Sequence, residues 1–413
     1  MKKLLIGFLA VGLIMGFAMT ASAQPNIKAS GQLYMYGYYN DNGSLRQDGD
    51  SRAAIANRLR MQFEIQVQEG LKLTTRFDAL ERVWGQQPAV LTQSFSYARP
   101  ENNISWERAY VTFNALYGVF DVGYQQSRRW ATCAFCDDSD SDAGIHYRYL
   151  MGPWTLGLEW EKRAGTNNNW SLGLPPEQQG EGSAAQGGTS LPGTDNDHDV
   201  YHIYGIYRWS TGQAGLRLEL NRDAADGEIA ANQTALASYF GGVADAYTFT
   251  FYELAPYFQW KYGPFDFEGE LRYVWGTIDR DNPANQDIDR NGYSLYLMGK
   301  YSMGAFYGGL EFAYMTGDDP ATSDKYEAGV AGGTTWDPML IYGNYWYNKY
   351  HGAMGPGTGA TIGNQEMNVI MFKPFVGWKV NPQIEIVAQY AWLKAEEVAA
   401  GRDDEYGKEF DLY

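Results

Sequence analysis

The sequence predicts an all-β chain, a transmembrane antiparallel β-barrel of about sixteen strands. Three observations predict it. Apolar and polar residues alternate with period two, connections alternate between short turns and long polar stretches, and the last segment ends on an aromatic residue.

Period-two alternation places successive side chains on opposite faces of a strand. Leu59-Arg60-Met61-Gln62-Phe63-Glu64-Ile65-Gln66-Val67-Gln68 is apolar at every odd position and polar at every even one. On a helix this pattern would scatter both classes around the axis. On a strand it gives one face suited to lipid and one suited to water. Ile27 to Tyr39 reads as the first strand, and Leu71 to Arg82 follows the Leu59 segment after a tight turn at Glu69-Gly70. Later strands set Leu216, Leu218 and Leu220 against Arg217, Glu219 and Asn221, and Phe265 and Phe267 against Asp266 and Glu268. Ile384, Ile386, Ala388, Tyr390 and Trp392 alternate with Gln383, Glu385 and Gln389. Aromatic residues gather at the ends of the apolar stripes, as at membrane interfaces.

The connections carry as much weight as the strands. Short turns are expected at Glu69-Gly70, Asn114 to Gly118, Gly152-Pro153, Ser210 to Gly212, Tyr262-Gly263-Pro264, Ser302 to Gly304 and Asn381-Pro382. Between them lie Gly/Asp/Asn-rich stretches at 84–103, 125–143, 164–198, 223–246, 278–291 and 317–366. Short periplasmic turns and long extracellular loops are the rhythm of outer-membrane barrels. A soluble sandwich has no reason to lengthen every second connection. An even strand count leaves both chain ends on the periplasmic side.

Composition agrees. The chain has 413 residues, a net charge of −17, 15% aromatic residues and 48 glycines, with a mean hydropathy of −0.43. Such acidity argues against nucleic acid, whose phosphates would be repelled. Lys2 and Lys3, the apolar run Leu4 to Ala18 and the small-residue site Ala21-Ser22-Ala23 form a secretory signal, so residues 1–23 are expected to be cleaved. That run is short for a membrane anchor, and no later segment offers the roughly 18 apolar residues of a transmembrane helix. Residues 24–413 are expected to form one domain, since no linker or composition break divides them.

Two segments resemble a known family. Glu405-Tyr406-Gly407-Lys408-Glu409-Phe410-Asp411-Leu412 with terminal Tyr413 resembles the C-terminal assembly signal of outer-membrane barrels, with Tyr in place of the usual Phe. Glu107-Arg108-Ala109-Tyr110-Val111-Thr112-Phe113, a short turn, then Tyr117-Gly118-Val119-Phe120-Asp121-Val122-Gly123-Tyr124-Gln125 resembles the hairpin before the constriction loop of the general, trimeric porins of Gram-negative bacteria. Tyr124 stands where that family commonly has Arg, and Arg128 and Arg129 follow closely. The resemblance implies a sixteen-stranded homotrimer in the outer membrane whose third loop folds inward and narrows a water-filled channel. It also implies contact with lipid and lipopolysaccharide, insertion by the barrel assembly machinery through the C-terminal strand, and no cofactor. The function it implies is passive diffusion of ions and small hydrophilic solutes.

The alternation assigns the lumenal charges. Arg58 and Arg60 share the polar face of the second strand, Lys72, Thr74, Arg76 and Asp78 that of the third, and Arg108 that of the fourth. Arg58, Arg60, Arg76 and Arg108 are therefore expected to form a basic wall near mid-height. Gathered like charges call for a partner, and Asp137, Asp138, Asp140 and Asp142 in the 125–143 connection are the candidates. A transverse field between them would favour small polar solutes. Cys133 and Cys136 in the same connection suit a redox motif, half a metal site or a local disulfide, and export to an oxidising compartment favours the disulfide. The histidines, His146, His198, His202 and His351, show no metal-ligand spacing, so no metal is expected. Asp195 to Asp199 lacks the Gly and the twelfth-position Glu of a calcium loop. The aromatic run Tyr342 to Tyr350 suits either loop packing or sugar stacking. No catalytic pattern stands out, and an enzyme is not expected. Alternatives to a diffusion pore are a substrate-selective channel, a plugged barrel serving as an adhesin, and a soluble secreted β protein.

Overall fold

The computed structural model describes residues 26–40, 52–84, 104–126, 130–132, 141–165, 197–224, 247–280, 283–319, 321–322, 324–329, 339, 368–398, 401 and 403–413. Among them are β1 (Asn26–Asn40), β2 (Arg52–Gln68), β3 (Leu71–Val83), β4 (Ile104–Ala115), β5 (Gly118–Gln126) and β6 (Ser141–Met151). Next come β7 (Trp154–Gly165), β8 (Asp197–Trp209), β9 (Gly212–Asp223), β10 (Tyr247–Tyr262), β11 (Phe265–Arg280) and β12 (Ile288–Met303). The last are β13 (Phe306–Met315), β14 (Lys325–Tyr326), β15 (Val369–Asn381), β16 (Ile384–Lys394) and β17 (Glu405–Leu412).

Every long strand pairs antiparallel with the next long one, from β1 on β2 through to β16 on β17. The two-residue β14 is the exception: it lies parallel to β12, so β13 pairs directly with β15. Leaving β14 aside, the sheet is the sixteen-stranded meander that the loop rhythm predicts. Tyr413 extends the last pairing by exchanging two backbone bonds with Val387, at 2.7 and 3.0 Å.

Burial follows the period of two. On β9, Leu216 and Leu218 are exposed on the outer face while Arg217, Glu219 and Asn221 are buried on the inner one. A globular core would have the opposite polarity. A barrel in lipid has this one, because its bare outer face meets hydrocarbon and its inner face is wet or filled with polar side chains. Aromatic rings cluster at two heights on the outside. Beside the short turns, Trp154 packs on Tyr207, Phe265 on Tyr301 and Phe306 on Trp378. Nearer the long loops, Tyr252 stacks on Trp275 and Tyr293 on Tyr314, and Phe312 packs at a tilt against Phe372. From Phe265 to Trp275 along β11 is about 34 Å of strand, or about 26 Å of height at a 40° tilt, which matches an apolar band of about 25 Å.

The turns have the chemistry that hairpins demand. Gly152 and Gly263 (both φ 56°) and Gly304 (φ 63°) take the left-handed first position of two-residue turns. The β4–β5 turn does so without glycine, holding Leu116 at φ 50° and Tyr117 at φ 61°. On the inner face, Gly157, Gly215 and Gly377 lie directly beneath the rings of Tyr204, Tyr257 and Tyr307 on the neighbouring strand, where any Cβ would overlap the ring. High on the inner face, Tyr296, Ala313, Met315, Val369, Met371, Ala391 and Leu393 form a buried apolar cluster. Met339, from the long connection between β14 and β15, is seated in it.

Candidate pore constriction

The predicted arginines do meet on β2, β3 and β4. Arg60 donates two bonds to Asp78, from Nε to Oδ1 and from Nη2 to Oδ2, both 2.6 Å. Arg58 Nη1 lies 3.6 Å from the same carboxylate. Arg76 Nη2 donates to Glu107 Oε2 at 3.3 Å, and Arg60 Nη2 is 3.8 Å from that oxygen. Arg108 donates to Gln126 Oε1.

This corrects the expected electrostatics in one respect. Asp78 and Glu107, on the same wall, are bonded to the arginines, so part of the compensation is local rather than across the lumen. Strict alternation would send Glu107 outward, opposite to Arg108. The β3–β4 register shifts here, with Arg76 opposite Arg108 but Phe77 opposite Trp106, so Glu107 is a bulge residue and reaches the inner face. Among the described residues, four guanidiniums meet two carboxylates in this cluster. Arg58 and Arg60 retain side-chain exposures of 30% and 25%, so their charge reaches lumenal water.

The third long connection, between β5 and β6, turns inward. Its described segment, 130–132, lies against β8–β11 rather than beside its own strands. Trp130 is 2% exposed, donates from Nε1 to Ala255 O at 3.0 Å, and packs its ring on Tyr204 and Tyr257. Thr132 donates from both its backbone N and its Oγ1 to Glu270 Oε2, at 3.1 and 2.7 Å. Among sixteen strands, β11 is eight removed from β3. The loop is therefore stitched to the wall opposite the arginines.

Asp137, Asp138 and Asp140, and Cys133 and Cys136, lie outside the described residues, as do Arg128, Arg129 and Tyr342 to Tyr350. Asp142 is placed differently from expectation. It belongs to β6, opposite Gln125, and lies 3.6 Å from Arg163, because strand pairing reaches into both ends of the predicted 125–143 connection, to Gln126 on β5 and Ser141 on β6. Tyr124 is on the outer face and 39% exposed, so it supplies no lumenal group.

A second set of charged residues escaped the sequence reading. Asp121, His146, Glu159, His202, Glu219 and Glu253 are direct cross-strand partners in succession, one on each of β5 to β10. All six are on the inner face and buried. His202 lies 2.9 Å from Glu219 through Nε2 and 3.4 Å from Glu159 through Nδ1. Arg217 bridges Glu219 and Glu253, at 3.3 and 3.0 Å. Arg272 lies 3.5 Å from Glu253 and donates to Glu270 at 2.8 Å. The network thus runs into the carboxylate that holds Thr132. Two of its five cross-strand pairings could have been found from sequence. Reflection through a two-residue turn sets His146 opposite Glu159 about Gly152-Pro153, and His202 opposite Glu219 about Ser210-Thr211.

A lipid-compatible barrel with a polar lumen and an inward-stitched loop defines a membrane pore. Residues 10–398 match the family model described as Gram-negative porin. The chain belongs to that family and is an outer-membrane channel for passive diffusion. Among solved structures it is similar to the outer membrane channel DcaP of Acinetobacter baumannii, at 13% identity, with 95% of this chain and 97% of that chain covered and a TM-score of 0.48. It is also similar to an anion-selective porin from Comamonas acidovorans, at 12% identity, 94% and 98% coverage and a TM-score of 0.44. A third is the trimer form of in-vitro folded OmpT from Vibrio cholerae, at 11% identity, 94% and 95% coverage and a TM-score of 0.40. Comparison with curated proteins finds no match in sequence.

Proposed function

We propose that solutes are sieved between the arginine wall of β2–β4 and the third loop anchored on β8–β11, and that the channel's work is diffusion rather than catalysis. The carrying observation is the double bond set from Thr132 to Glu270, eight strands away from Arg76. It draws the loop across the lumen and leaves the passage on the arginine side. Asp137, Asp138 and Asp140 follow Thr132 in the chain and are proposed as the acidic rim of that passage. The resulting transverse field favours small polar solutes that can orient in it. The arginine wall, taken by itself, opposes the cation preference that a net charge of −17 and the acidic rim would otherwise give.

The test is planar-bilayer recording of the detergent-purified protein in a salt gradient. Replacing Arg58, Arg60 and Arg76 together by Gln is expected to shift the reversal potential toward cations. An unchanged reversal potential in that variant refutes the assignment. Conductance closing in steps of three would support the homotrimer proposed from the family. The same reading assigns residues 1–23 to a cleaved signal, the C-terminal strand to recognition by the barrel assembly machinery, and the outer face to lipid and lipopolysaccharide. It also joins Cys133 and Cys136 in a disulfide that stiffens the loop. Mass spectrometry before and after reduction should show a gain of two hydrogens.

Met339 favours a second, narrower reading. Seated on the inner face near the long-loop end, Met339 itself lies in the mouth, so entry into the channel passes beside it. Met339→Asp would then raise single-channel conductance without altering the reversal potential.

A further inference from the structure

We propose that the barrel wall holds a first-row divalent transition-metal ion between His146, Glu159 and Glu161. His146 is on β6, and both glutamates are on the inner face of β7, two residues apart, with Glu159 directly opposite His146. One donor atom from each lies within 4.8 Å of the other two. One pair, His146 Nε2 and Glu161 Oε1, is 3.3 Å apart. Two donors bound about 2.0–2.1 Å from a tetrahedral ion are themselves about 3.3 Å apart. That pair is already spaced for a shared cation, and the third donor lies within 4.8 Å of both.

Burial and bonding point the same way. His146 is 4% exposed and Glu161 1%. Among the described residues His146 Nε2 has no hydrogen-bond partner, although it is buried and lies 3.3 Å from a carboxylate. Buried polar nitrogens are seldom left so, and a missing ion is one established reason. The neighbouring groups orient the donors. Glu161 presents Oε1 to His146 while its Oε2 is 3.4 Å from Arg163. Glu159 Oε2 is 3.4 Å from His202 Nδ1, and His202 is in turn fixed by Glu219. Outer partners of this kind fix ligand orientation at metal sites. One imidazole with two carboxylates suits zinc, manganese or iron(II), whereas calcium and magnesium prefer oxygen alone.

Zinc is the probe. Metal-stripped full-length protein in detergent, dialysed against buffered zinc, is expected to bind one equivalent that is lost in His146→Ala and Glu161→Gln and kept in His351→Ala. Each of the first two variants should weaken binding by about tenfold or more. Circular dichroism and heat-modifiable migration establish that the variants are folded. Wild-type protein that binds no zinc, or folded variants that bind it equally, would overturn the proposal. Should either variant fail to fold, X-ray absorption on the zinc-loaded wild type decides. A shell of one imidazole with oxygen donors supports the site; sulfur ligands or several imidazoles overturn it.

Discussion

Asp78 holds the arginine wall together. It is 3% exposed and accepts from Arg60 through both oxygens, with Arg58 close by. Asp78→Asn keeps the shape but removes the charge, leaving two guanidiniums with less compensation in a narrow lumen. Urea unfolding of the folded form should show a loss of about 1–3 kcal/mol. The reversal potential should move toward anions, opposite to the arginine triple variant. An unchanged reversal potential would mean that Asp78 lies outside the conduction path. Arg58, Arg60, Arg76 and Asp78 were legible in the sequence because each obeys the alternation of its own strand. Glu107 was not, since a bulge is a property of two strands in register and no local pattern announces it.

The hairpins show where legibility ends at the level of the element. Strands, turns and the long-short rhythm could be read directly, because the barrel must keep one face apolar along every strand. Register across a two-residue turn is fixed by the turn itself, which makes the pairings of His146 with Glu159 and of His202 with Glu219 deducible. Register across a long loop is not, so the pairings of Glu159 with His202 and of Glu219 with Glu253 needed the structure. The β4–β5 turn also carries a cost. Leu116 and Tyr117 both hold the left-handed conformation, which side chains with a Cβ disfavour by about 1–2 kcal/mol each. Asn-Gly at these positions should raise the unfolding temperature measured by gel shift and leave conductance unchanged. The inner glycines predict the converse. Gly215→Val would drive a side chain into Tyr257 and toward Trp130, loosening the seat of the third loop. Its expected signature is larger, noisier channels rather than loss of the barrel.

For the whole molecule, the decisive contacts are those that join distant parts of the chain. The stitch from Thr132 to Glu270 and the insertion of Trp130 beside Ala255 determine where the third loop lies. Trp130→Ala with Glu270→Gln should increase single-channel conductance and the permeation rate of larger sugars in liposome swelling. Unchanged swelling rates would place the size filter elsewhere. These contacts span 125 and 138 residues of sequence, and that separation has a consequence in time. A loop cannot be fastened to a strand that has not yet arrived. Closing such long intervals is entropically costly and slow to nucleate, whereas neighbouring hairpins zip locally. The barrel wall therefore forms ahead of its filter. Each newly inserted molecule passes through a stage at which it is a wide, unselective hole, and the speed of the final stitch determines how long the membrane tolerates it.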